Sequence, residues 1–79
     1  MPTILRIDGN RFFFFSNEGT EPVHVHVESA ERYAKFWLQP VALADSVGYN
    51  SRELVRLRKT IDERSAFIVE KWHEYFSIR

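Results

Sequence analysis

The segment Val23-His24-Val25-His26-Val27-Glu28 alternates apolar and polar residues without a break. Period-two alternation over six residues is the signature of a half-buried β-strand, since a helix would scatter these valines around its circumference. Val23, Val25 and Val27 therefore share one side, and His24, His26 and Glu28 share the other. After a turn at Ser29-Ala30-Glu31-Arg32, the run Tyr33-Ala34-Lys35-Phe36-Trp37-Leu38 alternates again. A four-residue loop pairs Val27 with Ala34 and Val25 with Phe36 on the core face. The same register sets His26 opposite Lys35 and His24 opposite Trp37. A slip of one residue would turn every side chain to the wrong face, so two alternations that agree in phase specify the hairpin.

Upstream, Thr3–Ile7 and Arg11–Ser16 predict a second hairpin. Gly9-Asn10 is read as its two-residue loop, because both residues tolerate positive φ. That loop pairs Ile7 with Phe12 and Leu5 with Phe14. Phe12 to Phe15 place large rings on both faces, so this strand is predicted to be central, with a helix over one side and another element over the other. Arg6 falls on the face of Phe13 and Phe15. It either pairs with Glu18 or Glu21 or reaches past the sheet edge to water.

Pro40 ends the last strand of the second hairpin. Val41-Ala42-Leu43-Ala44 reads equally as a fifth strand or one helical turn. Gly48-Tyr49-Asn50 is a break, Ser51 or Asn50 is a helix N-cap, and Glu53 sits in the first turn. No Gly or Pro follows before Phe76. Leu54, Leu57, Ile61, Ser65, Ile68, Trp72 and Phe76 recur at helical spacing, which predicts one long amphipathic helix over 51–77, kinked near Arg64-Ser65 or split into two. About 26 residues span roughly 39 Å, whereas a chain of this length folds into a globule about 30 Å across. Part of the helix should overhang, bend or meet a partner, and Phe67 and Val69 lie off the main apolar stripe.

Length and composition exclude several classes. With 79 residues the chain is at most one domain: hairpins over 1–39, a connection over 40–50, then the helix. Twelve aromatic residues make a core feasible in so short a chain. The absence of cysteine excludes disulfides and thiolate chemistry. Eleven basic residues balance eleven acidic ones, so the molecule as a whole is not a polyanion binder. No apolar run is long enough to cross a membrane and no signal peptide is read, so the cytoplasm is the expected setting and no membrane partner is expected.

Several segments together resemble a known family. These are Met1-Pro2-Thr3-Ile4, Phe12–Phe15 running into Ser16-Asn17-Glu18, and Glu21-Pro22 before His24-Val25-His26-Val27. They continue with Lys35-Phe36-Trp37-Leu38, Glu53-Leu54 and Trp72-His73-Glu74-Tyr75-Phe76. The chain is similar to the small prokaryotic domain-of-unknown-function family 4160 over nearly its whole length. Where that family usually reads Pro-Pro-His-Val-His, Val23 replaces the second proline and both histidines remain. The resemblance implies a cytoplasmic bacterial protein, often encoded beside another small protein and associated with toxin–antitoxin pairs. It assigns no activity to any residue.

The residues that can carry chemistry are few. His24 and His26, two apart on one strand face, could share a metal with His73 or Glu28 as further ligand; zinc is the metal such a set suits, although no cofactor is expected. With Lys35 they could instead run acid–base catalysis, as in metal-independent RNA cleavage. Tyr33 and Trp37 share that face and could stack a base. Arg52, Arg56 and Lys59 form a basic stripe at i, i+4, i+7 on the helix and could bind phosphate. The plainer readings are a polar strand face, a small second core around Trp37 covered by residues 41–44 or the helix, and a solvated helix surface. His73 either caps the histidine face or is solvated.

The expected fold is thus α+β, an antiparallel sheet of four or five strands with a long C-terminal helix packed on one face. Two function classes follow. One is a protein–protein interaction module of a toxin–antitoxin-like gene pair, acting on a small protein encoded alongside or on itself as a homodimer through the C-terminal helix. The other is a small ribonuclease, or a phosphate- or nucleic-acid-binding protein, using the His-x-His face.

Overall fold

A computed structural model describes residues 3–15 and 19–76. Five strands form one antiparallel meander in chain order: β1 (Thr3–Ile7), β2 (Asn10–Phe13), β3 (His24–Ser29), β4 (Arg32–Leu38) and β5 (Val41–Val47). Two helices follow, α1 (Ser51–Glu63) and α2 (Ser65–Tyr75). Among the described residues no helix is long and apolar enough to cross a membrane.

The β3–β4 register is the one the alternation dictates: Val27↔Ala34, Val25↔Phe36, His26↔Lys35 and His24↔Trp37. The turn itself is tighter than the expected four residues, because Ser29 pairs with Arg32 and only Ala30-Glu31 lie outside the ladder. The first hairpin departs from expectation. Ile7 pairs with Asn10 and Leu5 with Phe12, so the turn is Asp8-Gly9. Both turn residues have positive φ, 52° and 81°, as a type I′ turn requires, and Asp-Gly is among the pairs that tolerate it best. Asn10 joins the strand instead, and its side-chain amide donates back to the Ile7 carbonyl at 3.3 Å. Arg6 is exposed on the face of Arg11, and Glu21 pairs with Lys35 rather than with it. Glu18, Ser16 and residue 77 lie outside the described residues.

The segment expected as a connection over 40–50 contains β5, which continues the ladder with Val41↔Leu38 and Ala42↔Trp37. An irregularity opposite Lys35 and Phe36 gives β5 one extra residue at Ala44. β1 and β5 are the sheet edges.

In place of one long helix there are two, separated at Arg64. No Gly or Pro is present; Arg64 adopts φ −115°, ψ 17°, in the bridge region beside the helical well. Its N–H is shared between the Thr60 and Ile61 carbonyls, and the Arg64 carbonyl accepts from Ile68 to start α2. Tertiary packing explains the break. α1 lays Leu57 and Ile61 on the sheet, while α2 must bring Trp72 to Phe14, whose rings meet edge-on at 5.2 Å. Asn50 is the N-cap of α1: its side chain accepts from the Glu53 N–H at 2.8 Å, and its own N–H donates to the Glu53 carboxylate at 2.9 Å. This reciprocal box satisfies two otherwise orphaned donors. The molecule measures 40 Å along its longest axis, more than the roughly 30 Å of a round globule of this length.

The core lies between the sheet and the helices. Phe12, Phe14, Val25, Val27, Ala34 and Phe36 face Leu57, Ile61, Ile68 and Trp72. Phe13 and Phe15 point the other way, as four successive residues in extended chain must, and meet His26 on the opposite face.

Candidate functional site

The face away from the core is built on His24 and His26 of β3. Pairing between β2 and β3 stops at Phe13↔His26, and Phe14 and Phe15 leave the sheet there. Described residues at both ends of the β2–β3 connection lie against this face. Phe15 at its start lies edge-on to His26 with centroids 4.4 Å apart. At its end, the Pro22 carbonyl is 2.9 Å from His24 Nδ1, and a Glu21 carboxylate oxygen is 3.0 Å from Lys35 Nζ. His24 and His26 are consequently 0% and 2% exposed.

Each imidazole has a defined setting. His26 is flanked by Phe13 and Tyr33, with interplanar angles of 28° and 26°, and its Nδ1 is 2.9 Å from the Tyr33 hydroxyl. His24 stands edge-on to His26, Trp37 and Trp72, with Trp72 nearest at 4.9 Å. A carbonyl oxygen can only accept, so the His24 contact with Pro22 requires a proton on Nδ1. Lys35 Nζ lies 4.6 Å above the Trp37 ring centroid, and Glu21 faces both Lys35 and, at 3.9 Å, His24. Among the described residues no buried side-chain nitrogen or oxygen lacks a hydrogen-bond partner.

The structure thus brings together His24, His26, Tyr33, Lys35 and Trp37. Phe15, Glu21 and Pro22 of the β2–β3 connection and Trp72 of α2 lie against the histidines, while residues 41–44 lie beside Trp37 in the sheet. His73 is exposed on α2, where it lines a groove with Leu38, Ala66 and Val69. Among the described residues no three His, Asp or Glu converge on a position that could hold a metal. Arg52, Arg56 and Lys59 are exposed on α1, and none of them carries an ion pair among the described residues.

A second polar region sits at the hairpin-turn end of the fold and was not read from the sequence. Arg32 of β4 forms an ion pair with Glu53 of α1 and lies over the Tyr49 ring at 5.3 Å. The Tyr49 hydroxyl donates to Asn10 Oδ1 at 2.8 Å. Burial raises the Tyr49 phenol above its usual pKa, and the Arg32 charge only partly opposes this. Tyr49 occupies the position before the Asn50 cap, where an apolar residue can staple the helix start; that spacing is the signal that would have found it.

No curated protein and no solved structure matches the chain. The family model described as Domain of unknown function (DUF4160) does match, over residues 9–73, a span holding β2 to β5, α1 and most of α2, so the chain belongs to that family.

Proposed function

We propose that this protein is a cytoplasmic protein–protein interaction module, one half of a toxin–antitoxin-like gene pair, and that α2 meets the partner. The carrying observation is the exposed apolar side of α2. Phe67 and Tyr75 are 41% and 40% exposed although the helix also buries Ile68 and Trp72. Lys71 stands between them with Nζ 5.5 Å from the Phe67 ring. Aromatic side chains exposed together on one helix are the composition of interface anchors. Across the same helix, Leu38, Ala66 and Val69 floor an open groove rimmed by Glu70, His73 and Glu74.

The alternative is a ribonuclease or nucleic-acid-binding protein that uses His24, His26 and Lys35. The burial of both imidazoles and the pairing of Lys35 with Glu21 weigh against it, since a general acid or base must reach its substrate. The test is a pull-down of the native complex with bound RNA retained, alongside sedimentation of the wild type and Phe67→Glu. Recovery of one defined small protein, lost in Phe67→Glu, supports the partner reading. A concentration-dependent dimer abolished by Phe67→Glu assigns α2 to self-association. Wild-type protein that is monomeric at high concentration and recovers no protein overturns both forms, and RNA recovered in its place supports the alternative.

A further inference from the structure

The turn-end region encloses a concavity of about 230 Å³ between the Asp8-Gly9 turn and α1. It is smaller than the roughly 300–1,000 Å³ of pockets that hold drug-sized ligands, so its occupant must be small. Four ionised side chains line it: Asp8, Arg32, Glu53 and Arg56. Arg32 and Glu53 neutralise each other. Tyr49 and Asn10 are joined by their own hydrogen bond. The Asp8 carboxylate and the Arg56 guanidinium remain, and neither carries an ion pair or side-chain hydrogen bond among the described residues. Opposite charges line one small space without closing on each other. A simple anion would meet the Asp8 carboxylate, and a simple cation would meet the Arg56 guanidinium. A molecule with one charge of each sign satisfies both. The remaining wall is Ile7, Phe12 and Leu57, which suits a short aliphatic group.

We propose that this concavity binds a free α-amino acid with an aliphatic side chain, its carboxylate held by Arg56, its ammonium by Asp8 and its side chain against Ile7, Phe12 and Leu57. Arg56 matches a carboxylate with two parallel N–H donors, and Thr60, which also lines the space, adds a hydroxyl. The site is independent of the α2 surface, so the two readings stand or fall separately.

The probe is L-leucine, compared with 4-methylpentanoate, which lacks the amine, and 3-methylbutylamine, which lacks the carboxylate. Binding is read from amide shifts of the ¹⁵N-labelled full chain by NMR. Asp8→Asn leaves the turn foldable, because Asn-Gly suits a type I′ turn as well as Asp-Gly does. Arg56→Gln keeps a helix-forming residue at an exposed position. L-Leucine should shift the amides of residues 8–10 and 56–60 saturably. Both analogues should bind at least tenfold more weakly, and each substitution should weaken leucine at least tenfold. Absence of saturable shifts, equal binding of either analogue, or leucine affinity unchanged in both variants would overturn the proposal.

Discussion

On the helix side of the sheet, Val25, Val27, Ala34 and Phe36 are closed over by Leu57, Ile61 and Ile68. On the other side, Phe13, His24 and His26 are just as buried, but against them lie Phe15, Glu21 and Pro22 from the β2–β3 connection and Trp72 from α2. The first face is held by dispersion and the hydrophobic effect, which depend on volume and shape and little on partner identity. The second holds two imidazoles, a lysine and a phenol, so each polar atom needs a specific partner at hydrogen-bond distance. The comparison teaches that equal burial does not mean equal tolerance. The helix face should accept apolar exchange at constant volume, whereas the buried imidazoles should not accept loss of a hydrogen-bond partner.

The largest effect should come from the helix face. Phe12→Ala removes a ring that is 1% exposed and should cost about 3–5 kcal/mol, much of the stability of so small a chain. Urea denaturation followed by circular dichroism would measure it, and a cost near 1 kcal/mol would mean that the helices do not seal this core.

His26→Ala should cost about 2–3 kcal/mol, since it opens a cavity beside Phe13 and Phe15 and removes the Tyr33 partner. His26→Phe restores volume without the hydrogen bond and should recover only part of the loss. If His26→Ala is neutral instead, the second face is no core, and the two faces differ more than their burial indicates.

Asn50→Ala deletes one arm of the capping box and should cost about 1 kcal/mol. Lys35→Met removes the Glu21 pair and the contact over Trp37 but keeps the stem. Glu21 is 41% exposed and the pair is screened, so the cost should fall below about 1 kcal/mol. A larger loss would show that Glu21 and Lys35 hold the covering segment on the histidine face.

At neutral pH the smallest effect belongs to Tyr49. Its phenol titrates higher in the folded chain than in the unfolded one. The associated stability is fully present below the unfolded value of about 10 and is lost as pH rises through the folded value, because the unfolded chain releases the proton first. Thermal melts between about pH 8 and 11 should show this loss in the wild type and a weaker one in Tyr49→Phe. Identical slopes would place Tyr49 in contact with water.

Legibility varied with the number of signals each segment carried. In β3 and β4 two alternations constrain one register, and the pairs His26↔Lys35 and His24↔Trp37 follow directly. In the first hairpin only turn chemistry was available. Asp8-Gly9 and Gly9-Asn10 both satisfy it, and the four phenylalanines supply no phase to choose between them. Val41–Val47 carries too weak a pattern to separate strand from helical turn; pairing to β4 decides it. The histidines were legible as a pair on one face, but their burial was not, because Phe15, Pro22 and Trp72 reach them from three separate parts of the chain.

Local sequence was enough for the α+β class, the β3–β4 register, a helix start capped by Asn50 or Ser51 and the apolar stripe of Leu57, Ile61, Ile68 and Trp72. All of these follow from local periodicity and capping, which act over a few residues. Long-range packing settled whether the helix kinks or splits at Arg64, the enclosure of His24 and His26, and the meeting of Asn10, Arg32, Tyr49 and Glu53. Each joins segments distant in the chain: Trp72 reaches His24 across 48 positions of sequence and Tyr49 reaches Asn10 across 39. Such contacts are settled by which surfaces must leave water together once the sheet exists, and no local pattern encodes that.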